Sequence, residues 1–123
     1  MQNDKSKFKN DLKARCYQFS ISVIAFMDTL PNQRAYWIIS DQLLRSAMSI
    51  GANLVEASAS SSRLEYKKYH EISLKSANET KYWLGLLRDT NKASKEKVNP
   101  LLQEVTELAN MIASGVLKLK GLR

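Results

Sequence analysis

Apolar residues recur along this chain at helical spacing in four blocks separated by short polar breaks. In the first block Phe8, Leu12, Cys16, Phe19, Val23, Phe26 and Leu30 follow at steps of three and four, and Ile21 and Ile24 widen the seam. The pattern predicts a helix from about Lys5 to Thr29, stopped by Pro31-Asn32. A second helix is expected from about Gln33 to Ser58, and the polar run Ala59-Ser60-Ser61-Ser62 breaks it. Ser62 with Glu65 three residues later forms a capping-box pattern and opens a third helix that should reach about Thr90. Its inward face reads Tyr69, Ile72, Ser76, Ala77, Thr80, Trp83, Leu84 and Leu87. After a turn at Asn91 to Ser94, Leu101, Val105, Leu108, Ile112, Val116 and Leu119 form the seam of a fourth helix, from about residue 95 to 120. Asn99-Pro100 predicts an irregular or kinked first turn, because Pro100 lacks an amide donor. Four helices joined by short connections give an all-α, antiparallel up-down-up-down four-helix bundle, one domain over residues 1–123.

The second helix carries the most unusual pattern. Leu43, Leu44, Ala47, Met48, Ile50, Leu54 and Val55 supply apolar contacts, while Arg45, Ser49, Asn53 and Glu56 form a narrow polar stripe at steps of four, four and three. The small residues Ser49, Gly51, Ala52 and Asn53 would let a neighbouring helix approach closely. The stripe therefore reads as a polar lock of helix register, with a ligand site as the other reading. If the second and third helices are antiparallel, Arg45 comes opposite Ser76 to Glu79, and an ion pair between Arg45 and Glu79 is expected. At the start of the second helix, Tyr36-Trp37-Ile38-Ile39 is apolar almost all round. Such a turn is either buried on two sides, in the core and against another subunit, or folded flat over its own bundle.

These segments resemble a known family. Arg45-Ser46-Ala47, Ser49-Ile50, Ala52-Asn53 and Glu56-Ala57, then Ser76-Ala77-Asn78-Glu79-Thr80-Lys81-Tyr82-Trp83-Leu84 and Leu87-Arg88-Asp89, are similar to the four-helix-bundle proteins related to the 23S rRNA intervening-sequence protein. The resemblance runs from about Phe8 to Leu119, and departs from the commonest pattern at Ala57, where many relatives have Gly. It implies an up-down bundle assembled as a homopentamer, and association with RNA. Through related accessory proteins of diversity-generating retroelements, it also implies a basic oligomer that contacts nucleic acid and a reverse transcriptase.

Composition narrows the chemistry. Cys16 is the one cysteine, so no internal disulfide forms; its place on the apolar seam makes it a buried thiol, and a lone cysteine fits a reducing cytoplasm. The polar N-terminal stretch lacks the apolar run of a signal peptide, and no window is long and apolar enough for a membrane span. The single histidine, His70, has no second metal ligand nearby in sequence and reads as a partly exposed surface residue. The four glycines are isolated, so no phosphate loop exists, and the serines at 58 and 60–62 have no evident base. Neither an enzyme nor a cofactor is expected.

What remains is interaction. The net charge is +7, which permits attraction to RNA or DNA. Lys5, Lys7, Lys9, Lys13 and Arg15 on the first helix, and Lys118, Lys120 and Arg123 at the end of the fourth, would meet at one end of an antiparallel bundle as one basic patch. The alternative is a protein-interaction scaffold without a nucleic-acid role, anchored by Tyr36, Trp37, Tyr82 or Trp83, which also serve as candidate oligomer contacts.

Overall fold

The computed structural model describes the backbone of residues 4–121 and the side chains of residues 11–121. Four helices follow in order, α1 (Asp4–Met27), α2 (Arg34–Ser58), α3 (Arg63–Asp89) and α4 (Lys95–Leu119), with no strand among the described residues. Each begins or ends where local chemistry dictates. Ser62 caps α3 by accepting a hydrogen bond from the Glu65 amide at 3.1 Å. At its other end Asn91 adopts φ 58°, the Lys92 amide reaches the Leu87 carbonyl at 2.9 Å, and the Asn91 amide reaches that of Arg88 at 3.1 Å. That pair of bonds is a Schellman closure with asparagine in the left-handed position. Helix α1 stops at Met27, two residues short of the expected end, where Thr29 turns back on the Phe26 carbonyl through both its amide and its hydroxyl.

The irregular first turn expected from Asn99-Pro100 is not observed: the Val98 amide already bonds the Ser94 carbonyl at 3.0 Å. Helix α4 runs through Pro100 from Lys95. Pro100 is exposed near the start of the helix, as is Glu96, whose carbonyl would otherwise accept from an amide at position 100. Ser94 occupies the cap position without a side-chain hydrogen bond.

The core is built from the seams. Leu12, Cys16, Phe19, Val23 and Phe26 of α1 meet Leu43, Ala47, Ile50 and Leu54 of α2, Ala77, Leu84 and Leu87 of α3, and Val98, Leu101, Val105, Leu108, Ile112 and Val116 of α4. Ile21 and Ile24 do not widen the α1 seam, and Met48 and Val55 do not join that of α2; all four are exposed. Ile24, Met48 and Val55 each directly follow a buried residue and are turned about 100° from it, toward solvent, and Ile21 lies farther round α1.

Each helix packs on its sequence neighbours, and α1 also packs on α4. Contacts rise along one helix as they fall along the next. Ser46 meets Thr80, Ser49 meets Ser76 and the Ile50 carbonyl meets Ser73, so α2 and α3 are antiparallel. Cys16 against Gly51 and Lys13 against Ser58 give the same sense for α1 and α2. At Gly51 a Cβ would stand 3.2 Å from Cys16 Cβ, so glycine is what lets α1 come this near.

Candidate functional site

The polar stripe of α2 meets α3, but through hydroxyls and not charges. Ser76 Oγ donates to Ser49 Oγ at 2.8 Å, and Asn53 Nδ2 donates to the same oxygen at 2.8 Å and to the Ser49 carbonyl at 2.8 Å. Deeper in, Thr80 Oγ1 lies 2.9 Å from Ser46 Oγ and 2.8 Å from the Ser76 carbonyl, and Ser73 Oγ donates to the Ile50 carbonyl at 2.8 Å. Small hydroxylated side chains allow two backbones to close together while each buried oxygen keeps a partner.

The expected Arg45–Glu79 ion pair does not form. Arg45 is 74% exposed and pairs within its own helix, Nε to Asp41 Oδ2 at 3.2 Å. Glu79 instead accepts from Trp83 Nε1 at 3.2 Å. Glu56 is exposed and makes no ion pair among the described residues. The physical reason is rotation. One residue is about 100° of helix; Ser46 faces α3, so its neighbour Arg45 is turned to solvent.

The four aromatic anchors are not brought together. Tyr36 and Trp37 line a cavity of about 380 Å³ beside the α1–α2 turn, with Met27, Leu30 and Pro31. Trp37 is 57% exposed and its Nε1 donates to Asn32 Oδ1 at 2.6 Å, while Lys92 Nζ stands 5.4 Å from the centre of the Tyr36 ring. Tyr82 and Trp83 are elsewhere, on α3, packed edge to face at 5.1 Å between centroids.

The basic residues separate into two kinds. Lys5, Lys7 and Lys9 have side chains outside the described residues, as does Arg123. Arg15 is committed to the bundle: its guanidinium bonds Glu104 through Nε at 3.1 Å and through Nη2, reaches Glu107 Oε1 at 3.2 Å, and contacts Met111 Sδ at 3.4 Å. The hydrogen bond it donates to Glu104, with a smaller contribution from the one to Glu107, holds its proton more firmly than in free arginine despite partial desolvation. Arg15 is therefore an α1–α4 strut, not an available phosphate contact. Lys13 is half-buried and donates to Ser58 Oγ at 3.1 Å. Lys118 is exposed, and exposed Lys120 lies 3.9 Å from Glu71, which Lys67 also approaches at 4.0 Å.

Antiparallel packing adds residues that the sequence reading left out. A cleft of about 370 Å³ opens where α1, α3 and α4 meet, and Arg63, Tyr66 and His70 of α3 face Gly115 and Lys118 of α4 across it. Its floor is apolar, with Leu12, Met111 and Ile112. A shallower groove continues toward Lys13 and Ser58, sharing Leu12, Tyr66 and His70. The Tyr66 and His70 rings pack with centroids 4.4 Å apart, and His70 Nδ1 lies 3.1 Å from the Tyr66 carbonyl. No carboxylate lines either cavity among the described residues. The available signal was the spacing Arg63, Tyr66, His70, which at steps of three and four places all three along one side of α3.

Cys16 is buried, and desolvation, with a smaller contribution from Glu104, pushes its thiol up to about 12. Among the described residues no group of three or more His, Cys, Asp or Glu could hold a metal ion, and no helix is long and apolar enough to cross a membrane.

Comparison with known proteins agrees with this architecture. No curated protein matches the chain. Among solved structures, the crystal structure of a protein of unknown function from the S23 ribosomal protein family of Bacteroides thetaiotaomicron is 33% identical. The match covers 85% of this chain and 97% of that one, with a TM-score of 0.80. The family described as 23S rRNA-intervening sequence protein matches residues 9–114. Four helices in this order, with a family match over most of their length, make this chain a member of the 23S rRNA-intervening sequence protein family.

Proposed function

We propose that this protein is a non-catalytic, homo-oligomeric bundle that binds RNA or DNA through one basic end, as a cytoplasmic accessory or scaffold. The observation that carries the reading is the gathering of Lys13, Arg63 and Lys118 around two adjoining cavities lined by no carboxylate among the described residues. Cations grouped in this way raise the local potential and draw phosphates at modest salt. Lys120 adds to the same end, with Glu71 between it and Lys67.

Self-association is supported by the outer side of the α1–α2 pair. Tyr17, Ile21 and Ile24 of α1 and Met48 and Val55 of α2 are exposed apolar side chains. Tyr17 follows Cys16, and Met48 and Val55 lie a turn to either side of Gly51, so they flank the seam where these helices touch. An apolar face of this kind is covered by association, here with further copies of the chain. Five copies is the number the family resemblance implies, and a reverse transcriptase is the enzyme partner it implies.

Binding of labelled RNA and DNA, followed by anisotropy at rising salt, tests the reading. The parent should bind with little sequence preference and weaken steeply with salt, and Lys13→Glu, Lys118→Glu and Lys120→Glu together should abolish binding. Undiminished binding by that variant would overturn the assignment of the basic end. A solution mass near 14.0 kDa at micromolar concentration would overturn the oligomer. The scaffold reading draws on the exposure of Trp37 and Tyr82. It is favoured instead if a protein partner is retained at high salt while no nucleic acid binds.

A further inference from the structure

Nucleic-acid binding at the basic end explains the cations there but not the cleft between them. Its walls combine three properties: two cationic side chains, a pair of packed rings and an apolar floor, with no carboxylate among the described residues. Among the described residues a metal ion or an ammonium ligand would find no anionic group on those walls. A purely apolar ligand would leave Arg63 and Lys118 with nothing to bind. The opening also depends on a missing side chain: Gly115 stands beside His70, and a Cβ there would lie 4.0 Å from His70 Cδ2, so larger residues would occupy the space. The cleft volume of about 370 Å³ is in the range of sites for small organic ligands, about 300–1,000 Å³.

We propose that this cleft receives one unpaired nucleotide of a single-stranded nucleic acid, its base against the Tyr66–His70 rings and its phosphate toward Arg63 and Lys118. The inference rests on the nucleic-acid reading of the basic end and adds to it a preference for unpaired strands. Every base offers a flat face to stack, so the site discriminates by pairing state and not by sequence. A duplex keeps its bases within the stack and engages the lysines alone. The groove leading to Lys13 gives the strand a path out of the cleft.

The test is anisotropy with a labelled strand of about 12 nucleotides, within the usual span of single-strand sites, beside the same sequence as a duplex. The parent should prefer the single strand. Gly115→Leu, which fills the cleft without changing charge, and Tyr66→Leu should each weaken single-strand binding at least about fivefold, the lower end for one stacked base, and leave duplex binding unchanged. Gly115→Ala places only a methyl at ordinary contact distance and should bind as the parent does. Arg63→Gln should lower the slope of log K against log salt by about 0.7, the value for one phosphate on a single strand.

Circular dichroism establishes that each variant keeps its helices. Should Gly115→Leu unfold, Tyr66→Leu and Arg63→Gln carry the same test. If Gly115→Leu and Tyr66→Leu remain folded and bind the single strand like the parent, the cleft assignment is overturned while the basic-end reading stands. If the parent binds neither strand nor duplex, both fall. Binding of a free nucleoside monophosphate, blocked by Gly115→Leu, without binding of any strand would overturn the proposal in favour of a small-molecule site.

Discussion

Replacing Thr80 by valine tests what holds α2 and α3 in register. Thr80 is fully buried and Ser46 nearly so. Each hydroxyl has one proton. Either Thr80 donates to Ser46 while Ser46 donates to the Leu43 carbonyl at 3.1 Å, or Thr80 donates to the Ser76 carbonyl and Ser46 donates to Thr80. Valine keeps the volume and removes the hydroxyl, so one hydrogen bond worth about 1 kcal/mol is lost. Its methyl would also stand where oxygen now lies 2.9 Å from Ser46 Oγ and 2.8 Å from the Ser76 carbonyl, closer than carbon tolerates. The expected loss for Thr80→Val is therefore about 1–3 kcal/mol. Ser46→Ala alone should cost about 1 kcal/mol, since Thr80 keeps the Ser76 carbonyl. The double variant removes both the Ser46 hydroxyl that has lost its Thr80 partner and the crowding there, and should be more stable than the sum of single losses by about 1 kcal/mol. Urea denaturation followed by circular dichroism, at one fixed protein concentration, measures the cycle, because any oligomer links stability to concentration. Thermal midpoints should fall by about 3–6 °C for each kcal/mol in a domain of this size. If Thr80→Val is as stable as the parent and the cycle is additive, these hydroxyls do not meet and the seam is held by packing alone.

Arg45→Met and Glu79→Leu should each cost under about 1 kcal/mol and combine additively, because each residue bonds within its own helix at the surface, Arg45 to Asp41 and Glu79 to Trp83; strong coupling in denaturant titrations would contradict that separation. Arg15→Gln should destabilise the α1–α4 contact by about 1 kcal/mol, a figure kept small by partial exposure of the pair, yet leave nucleic-acid affinity unchanged; a large affinity loss in the anisotropy assay would mean that the guanidinium reaches phosphate after all. Cys16 should resist thiol reagents in the folded protein and react on unfolding. Its folded value near 12 lies above the ordinary value of 9.0, so its stabilising contribution is complete below pH 9 and lost between there and 12. Within that window stability should fall by about 1.4 kcal/mol per pH unit from this thiol, and a parent whose pH profile matches that of Cys16→Ala would refute the assignment.

The helices and their buried seams could be read from the chain because the signal is local. A period of 3.6 residues puts Leu12, Cys16, Phe19 and Val23 on one side whatever they pack against, and Leu101, Val105, Leu108 and Ile112 likewise. The cap at Ser62 is local too, since its partner is three residues away. Orientation about the helix axis is not local. The register that opposes Arg45 to the Ser76–Glu79 region lies within about a helical turn of the observed Ser46–Thr80 pairing, but a one-residue turn of α2 exchanges a charged lock for a hydroxyl one. The period alone likewise left Met48 and Val55 with the core, although their angular offset leaves them outside it. Arg15 reads as a free cation until α4 brings Glu104 and Glu107 beside it, across 89 and 92 residues of sequence. The cleft is the furthest from local. Arg63, Tyr66 and His70 come from the start of α3 and Gly115 and Lys118 from the end of α4, and only the antiparallel return of the chain sets them around one space.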